Sequence, residues 1–275
     1  MSPDEYCADQ VAKRGSSLFY AVLKLPPKKR RAVIAVHAFR REVENTATEC
    51  SDPALAATKL EWWHRQLAAV YGGMPQHPVA RALQAAVQQH PLPKDRLQEI
   101  IEGVAADLTA PRYPDFGAVE RYCQRTGAVV NELMAEILGY RDASTVDCAR
   151  ELGLATRISR LIRDVGFDAR RNRVYLPADE MRQFAVEPAD VLHRRYSDRF
   201  QKLVEFQIDR VEAGLARAIS DFPAVDRPSQ RPVLVLAAIW RTLLAEIRAD
   251  GCRVLDRRTS LTPLRKLWIA WRGYT

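Results

Sequence analysis

Two aspartates four residues apart, Asp164 and Asp168, constrain this chain more than any other feature. The segment that contains them, 152–176, has no proline. On a helix, side chains at this spacing lie on one face about one turn apart, so the two carboxylates project together. Two like charges in this position favour a cation between them, and Mg²⁺ binds through one or two carboxylates, several waters and substrate phosphates. The segment therefore predicts a helix that carries a metal site.

Arginines surround the two aspartates, among them Arg157, Arg160 and Arg163. Their forked guanidinium groups suit phosphate oxygens, so the combination is typical of a site for a metal and a diphosphate. The same spacing is also compatible with a solvated helix face that carries weak ion pairs.

The rest of the chain reads as helices separated by short loops, one of them predicted over 117–138. Its 275 residues, 47% hydrophobic and 28% charged, can bury a large core. We find no repeats and no strand-period runs of any length, so the sequence predicts an all-α, single-domain protein over 1–275. The net charge of +8 fits an anionic partner: a diphosphate, an acidic membrane surface or nucleic acid.

Several function classes find no support. The five cysteines are scattered without a C-x-x-C pair, which argues against a disulfide framework or a zinc site. The five histidines form no H-E-x-x-H motif, and neither a nucleophile motif nor a helix-turn-helix signature for nucleic acid is present. No apolar run reaches about 20 residues, and the first residues lack the pattern of a signal peptide. We expect a cytoplasmic protein.

Longer motifs carry a resemblance to a known family. The run Arg163-Asp164-Val165-Gly166-x-Asp168, followed by Val174-Tyr175-Leu176-Pro177, resembles the second aspartate-rich signature of squalene and phytoene synthases. Residues 2–7 look most like bacterial presqualene diphosphate synthases. The resemblance implies an isoprenoid-synthase helical bundle with a central cavity.

The implied reaction is the head-to-head condensation of two farnesyl diphosphates to presqualene diphosphate, in squalene, hopanoid or carotenoid-type isoprenoid biosynthesis. Mg²⁺ is the implied cofactor, and NADPH is needed only if the reaction proceeds to squalene. The implied partners are farnesyl diphosphate or a related prenyl diphosphate and a partner synthase of the same pathway.

The resemblance also implies roles for individual residues. Glu44, Asp164 and Asp168 would bind the metal. Tyr122 would accept a proton or stabilise the carbocation, and Arg163 would join Tyr122 and the two aspartates in the catalytic set. The implied substrate-binding residues are Ser17, Arg41, Asn131, Arg157, Arg160 and Tyr175.

The first aspartate-rich signature of the family is degenerate in this chain. Relatives read roughly arginine-x-x-aspartate-aspartate-x-x-aspartate, where this chain has Arg41-Glu-Val-Glu44-Asn45-Thr-Ala-Thr48. Glu44 keeps a carboxylate, whereas Asn45 and Thr48 do not. Each lost carboxylate removes an anionic ligand from the metal cluster.

The second signature and the helix before it also depart from the family. Arg157 and Arg160 stand where glutamine and asparagine are usual, and Asn131 replaces a customary glycine. Two outcomes are open. The arginines either supply part of the charge neutralisation that relatives obtain from Mg²⁺, or turn the metal site into an internal salt-bridge network. The alternative function is therefore a non-catalytic family member, acting as a prenyl-lipid-binding partner subunit or an assembly factor.

The last segment, 261–272, alternates basic and apolar patches. Such a helix either lies on the inner face of the membrane as a peripheral contact or packs on the bundle.

Overall fold

Helices make up the regular structure of the chain. The computed structural model describes residues 1–50, 52–109 and 112–272. The helices are α1 (Pro3–Val11), α2 (Ser17–Val22), α3 (Pro27–Glu49), α4 (Pro53–Gly72), α5 (Pro78–Val87), α6 (Lys94–Thr109), α7 (Phe116–Cys123), α8 (Val129–Leu138), α9 (Ser144–Ala169), α10 (Ala178–Gln183), α11 (Pro188–Leu192), α12 (Asp198–Ser220), α13 (Arg231–Ala249) and α14 (Pro263–Arg272). Within the described ranges the only strand-like pairing is an isolated bridge between Arg112 and Val174. The all-α prediction is confirmed.

Local signals fix where many helices begin. Ser2 caps α1 by accepting a hydrogen bond from the backbone N–H of Glu5, whose carboxylate accepts one from the backbone N–H of Ser2. Proline stands in the first turn of several helices, where its missing N–H is harmless: α1, α3, α4, α5, α11 and α13.

The helix α9 lies at the centre of the bundle, packed against α8, α12 and α13. Buried apolar side chains from α1 through α14 form one continuous cluster, in agreement with a single domain. None of the helices in the described part of the chain is long and apolar enough to span a membrane.

The helix predicted over 117–138 is interrupted by one turn of π-helix, Gln124–Ala128, between α7 and α8. This turn lies against α9 at close range. A Cβ atom on Gly153 of α9 would come within 2.8 Å of the Ala128 Cα and of the Gly127 carbonyl oxygen, so glycine is needed for the approach. The contact brings the wide turn beside the side chain of Arg157.

A second close contact attaches the segment before α14 to α9. The backbone N–H of Gly166 donates to the carbonyl oxygen of Val254 at 3.2 Å. A Cβ atom on Gly166 would lie 2.6 Å from that oxygen. The small residue in the second signature thus lets residues 250–258 lie on α9, within reach of Asp164.

Candidate active site

Most of the predicted site residues line one cavity. It has a volume of about 310 Å³ and lies between α3, α6, α7, α9 and the segment before α14. The predicted residues on its wall are Arg41, Glu44, Tyr122, Arg157, Arg160, Asp164, Asp168 and Tyr175.

A second cavity, of about 160 Å³, lies between α2, α3, α8, α9 and α13. Ser17 and Asn131 are on its wall, and it shares Arg157 and Arg160 with the first cavity. The buried Nδ2 of Asn131 has no hydrogen-bond partner among the described residues. Arg163 lines neither cavity, since its guanidinium lies against Asp164 and 4.8 Å from the centre of the Trp240 ring.

Glu44 is buried and enclosed by three arginines. Arg40 donates to its Oε2 at 2.6 Å, and the Nη1 atoms of Arg157 and Arg160 lie 3.1 and 3.6 Å from its two carboxylate oxygens. The Arg157 contact is an ion pair rather than a hydrogen bond, because Oε1 has no donor in hydrogen-bond geometry. Burial raises the pKa of Glu44, but the charges of Arg157, Arg40 and Arg160 outweigh it and lower this pKa to about 2.

Arg157 is buried as well, and all three of its nitrogens are engaged. Its Nη2 donates to the Tyr122 hydroxyl at 2.6 Å and its Nε to the Thr126 hydroxyl at 3.2 Å, while Nη1 lies against Glu44. The residue that replaces a neutral amide of the family thus fixes α3, the π-helical turn and α9 to one another.

Asp164 is held by two arginine forks. Arg163 and Arg258 each donate two hydrogen bonds to its carboxylate, at 2.7–3.0 Å. Arg160, four residues earlier on the same helix, forms a longer ion pair with Asp164 at 3.8 Å. Burial raises the pKa of Asp164, but the hydrogen bonds from Arg163 and Arg258 hold it well below its usual range. Sequence analysis missed Arg258, because it stands 94 residues further along the chain.

Asp168 differs from Asp164 in that no arginine in the described part of the chain is paired with its carboxylate. Although it lies on the same cavity wall, the described residues give its carboxylate no hydrogen bond and no ion pair within 4 Å. Burial and the nearby Asp164 charge raise the pKa of Asp168 to about 7, against the arginines around it.

Beside the arginines, tyrosines form an aromatic wall, and the guanidinium of Arg157 lies 5.1 Å from the centre of the Tyr122 ring. The rings of Tyr122 and Tyr175 stack at 5.5 Å, and Tyr113 stacks on Tyr175 at 5.6 Å. The hydroxyls of Tyr113 and Tyr175 donate to the buried carboxylate of Asp107, which also accepts from Arg173. Sequence analysis gave no role to Asp107, whose partners lie elsewhere in the chain.

A helical bundle in which two facing helices carry carboxylates and arginines around a cavity is the architecture of isoprenoid synthases. A solved structure described as a dehydrosqualene synthase in complex with ligand has the same fold, with a TM-score of 0.87 at 24% identity over 98% of this chain and 94% of that one. The sequence profile of squalene/phytoene synthases matches residues 11–265, and the chain belongs to this family. It is therefore a transferase of prenyl groups, as predicted.

Among individual relatives, the 15-cis-phytoene synthase of Synechocystis sp. is 28% identical over 97% of this chain and 84% of its own length. Phytoene synthase 3 of Zea mays is 27% identical over 98% of this chain, which spans 64% of the maize protein.

Enzymes of this family use a divalent metal with their diphosphate substrates. A metal of this kind needs carboxylate oxygens that are free to bind it. Glu44 and Asp164 already have arginines against their carboxylates, and Asn45 and Thr48 supply none. Within the described ranges, no group of three or more His, Cys, Asp or Glu side chains could hold a metal ion. Of the three predicted metal ligands, Asp168 alone has a carboxylate without an arginine of the described ranges against it, so these residues do not fit the predicted metal cluster.

The enclosure of Glu44 leads to a stability prediction. Glu44→Gln would leave three arginine charges facing one another without their counter-ion, so we expect the free energy of unfolding to fall by about 3 kcal/mol. Chemical denaturation followed by circular dichroism measures this change. Glu49→Gln, on an exposed position of the same helix, serves as the control and should change the stability little. Equal stabilities of the two variants would contradict the buried network.

Proposed function

We propose that this chain joins two prenyl diphosphates head to head. The observation that carries the proposal is a cavity lined both by arginines and by the stacked rings of Tyr122 and Tyr175. A prenyl diphosphate has the same two parts: an anionic diphosphate and an allylic chain that becomes a cation when the diphosphate leaves. Farnesyl diphosphate is the proposed substrate and presqualene diphosphate the proposed product, supported by the resemblance of residues 2–7.

The reaction would begin with cleavage of the C1–O bond of one substrate. The electron pair leaves with the diphosphate, and an allylic cation remains at C1. The double bond of the second substrate attacks C1 and forms the new carbon–carbon bond. Loss of a proton from the former C1 leaves the C–H electron pair to form a second carbon–carbon bond to the cationic carbon, which closes a cyclopropane ring and gives presqualene diphosphate. One diphosphate and one proton are released in total.

The arginines and the tyrosines of the cavity have different roles in the proposed reaction. Arginines positioned before the reaction stabilise the charge that develops on the leaving diphosphate. The rings of Tyr122 and Tyr175 stabilise the cation through their ring electrons, and at Tyr122 this cation shares the ring with the guanidinium of Arg157, 5.1 Å from the ring centre. The proposed role of Tyr122 is cation stabilisation rather than proton transfer, because its hydroxyl oxygen already accepts a hydrogen bond from Arg157. The second cavity, lined by Leu18, Leu236 and Trp240 among others, is the proposed place for a prenyl chain.

We also propose that α14 contacts an anionic membrane surface from the cytoplasmic side. Leu264, Leu267, Trp268 and Trp271 are all exposed and follow the spacing i, i+3, i+4, i+7, which puts them on one face. The opposite face, with Ile269 and Ala270, packs on the bundle. An apolar face turned to solvent beside basic residues suits a lipid surface, where a prenyl product would also partition. The partner synthase stays a prediction.

Turnover is the direct test of the proposed reaction. Purified protein incubated with radiolabelled farnesyl diphosphate should release diphosphate and form presqualene diphosphate without NADPH, and a separate addition of NADPH tests for squalene. Faster turnover of geranylgeranyl diphosphate would assign a longer-chain product instead. Absence of turnover with every prenyl diphosphate would contradict catalysis and favour the non-catalytic partner subunit.

The aromatic wall gives a second prediction. Tyr122→Leu removes the ring that faces the cation and should lower kcat about tenfold, equivalent to about 1.4 kcal/mol. Tyr122→Phe keeps the ring and removes the hydroxyl, so its kcat should stay within about threefold of the parent. If Tyr122→Phe lost as much kcat as Tyr122→Leu, the hydroxyl rather than the ring would be the important group.

The apolar face of α14 gives a third. The double variant Trp268→Ser, Trp271→Ser should float with vesicles of anionic phospholipid at least tenfold less than the parent protein, because two large apolar side chains no longer enter the interface. Met74→Ser, at an exposed apolar position before α5, is the matched control. Equal flotation of the parent and the double variant would contradict the membrane contact.

A further inference from the structure

We propose that the arginines of the first cavity bind the substrate diphosphate directly and that this binding requires no divalent metal. The inference rests on the proposed function, because the ligand is the diphosphate of a prenyl substrate. Other members of the family use a divalent metal with the diphosphate, whereas here the arginines would bind the diphosphate themselves.

The carboxylates of Glu44 and Asp164 are already paired with arginines. A metal ion that binds Glu44 must either displace Arg40 from Oε2 or lie directly against the guanidinium of Arg157, whose Nη1 is 3.1 Å from Oε1. A metal ion that binds Asp164 must break hydrogen bonds from one of two arginine forks. Each displacement would leave an arginine next to a divalent cation, and this repulsion is strong where water is scarce.

Several arginines on the cavity wall have N–H groups that are available to a ligand. Arg160 is the central group: its guanidinium lies 3.6 Å from Glu44 and 3.8 Å from Asp164, beyond hydrogen-bond length, and it lines both cavities. Arg258 uses Nε and Nη2 on Asp164, which leaves Nη1 for a ligand. Arg171 and the exposed Arg41 complete the donors on the wall. These arginines can therefore donate hydrogen bonds to phosphate oxygens with little rearrangement.

The charges around the first cavity sum to a net positive charge. Arginines outnumber carboxylates in the cavity wall and the layer directly behind it. The arginines are Arg40, Arg41, Arg157, Arg160, Arg163, Arg171, Arg173 and Arg258, and the carboxylates are Glu44, Glu49, Asp107, Asp164 and Asp168. A diphosphate supplies the negative charge that this set lacks. Arginine forks bind phosphate oxygens in pairs, so they provide orientation as well as charge.

Calorimetric titration with inorganic pyrophosphate tests the inference. We expect the parent protein to bind pyrophosphate in EDTA, with a Kd within about threefold of that in Mg²⁺. Arg160→Gln should weaken binding in EDTA at least tenfold, and Arg160→Lys, which keeps the charge but loses the fork, should fall between the two. Arg199→Gln, an exposed arginine of α12 outside both cavities, should bind as the parent does. Thermal denaturation of each variant checks that it is folded.

A variant that restores the family's carboxylates makes the test sharper. Asn45→Asp with Thr48→Asp returns two anionic ligands to the cavity wall, so Mg²⁺ should strengthen pyrophosphate binding in this double variant and not in the parent. This difference is measured on binding alone and does not depend on turnover.

The results of the pyrophosphate titrations and of the turnover assay together separate metal-independent binding from catalysis. If the parent binds pyrophosphate only with Mg²⁺, the inference is wrong, while Mg²⁺-dependent turnover of farnesyl diphosphate would leave the proposed function intact. Binding in EDTA that Arg160→Gln does not weaken would also overturn it. Absence of binding and of turnover in both conditions would overturn the inference and the proposed function together. Binding in EDTA that Arg160→Gln weakens, without turnover of any prenyl diphosphate, would support the inference and contradict catalysis.

Discussion

The buried carboxylate of Glu44 is the interaction on which the centre of this bundle depends. An ionised carboxylate inside a protein is unfavourable by several kcal/mol unless it is paired. Here the partners come from α3 itself and from α9, so the arginines join two helices that face each other across the cavity. The connection between these helices and the electrostatics of the cavity are therefore determined by the same contacts. A change in the charge of this cluster alters the stability and the binding site together.

Asp164 has the corresponding role at the other end of the cavity. It joins α9 to the segment before α14 through Arg258, and the close approach at Gly166 makes that contact possible. A glycine and an acid two residues apart thus serve one purpose, which is to bring an arginine from late in the chain to the cavity. The same segment leads into α14, so the apolar face of that helix is attached to the site by a short connection.

The sequence predicted the features that depend on local patterns. The spacing of Asp164 and Asp168 predicted one helix face, and both side chains lie on one cavity wall. Features that depend on distant residues could not be read in this way. Arg258 has no local pattern that connects it to Asp164. The π-helical turn interrupts a segment with continuous helical periodicity and lies against Gly153 of α9, a tertiary contact that this periodicity cannot detect.

Glu44 and Asp164 stabilise the cavity even if no metal binds to them, because their carboxylates pair with its arginines. A metal ion can arrive with its diphosphate, whereas arginines are charged whether or not a ligand is present. A cluster of arginines around a cavity needs counter-ions, and Glu44 and Asp164 supply them. A bound diphosphate would then compete with these carboxylates for the same guanidinium groups. Acids that bind metal elsewhere in the family would here keep the arginines in position, and the strength of their pairing would limit how tightly the anion is held.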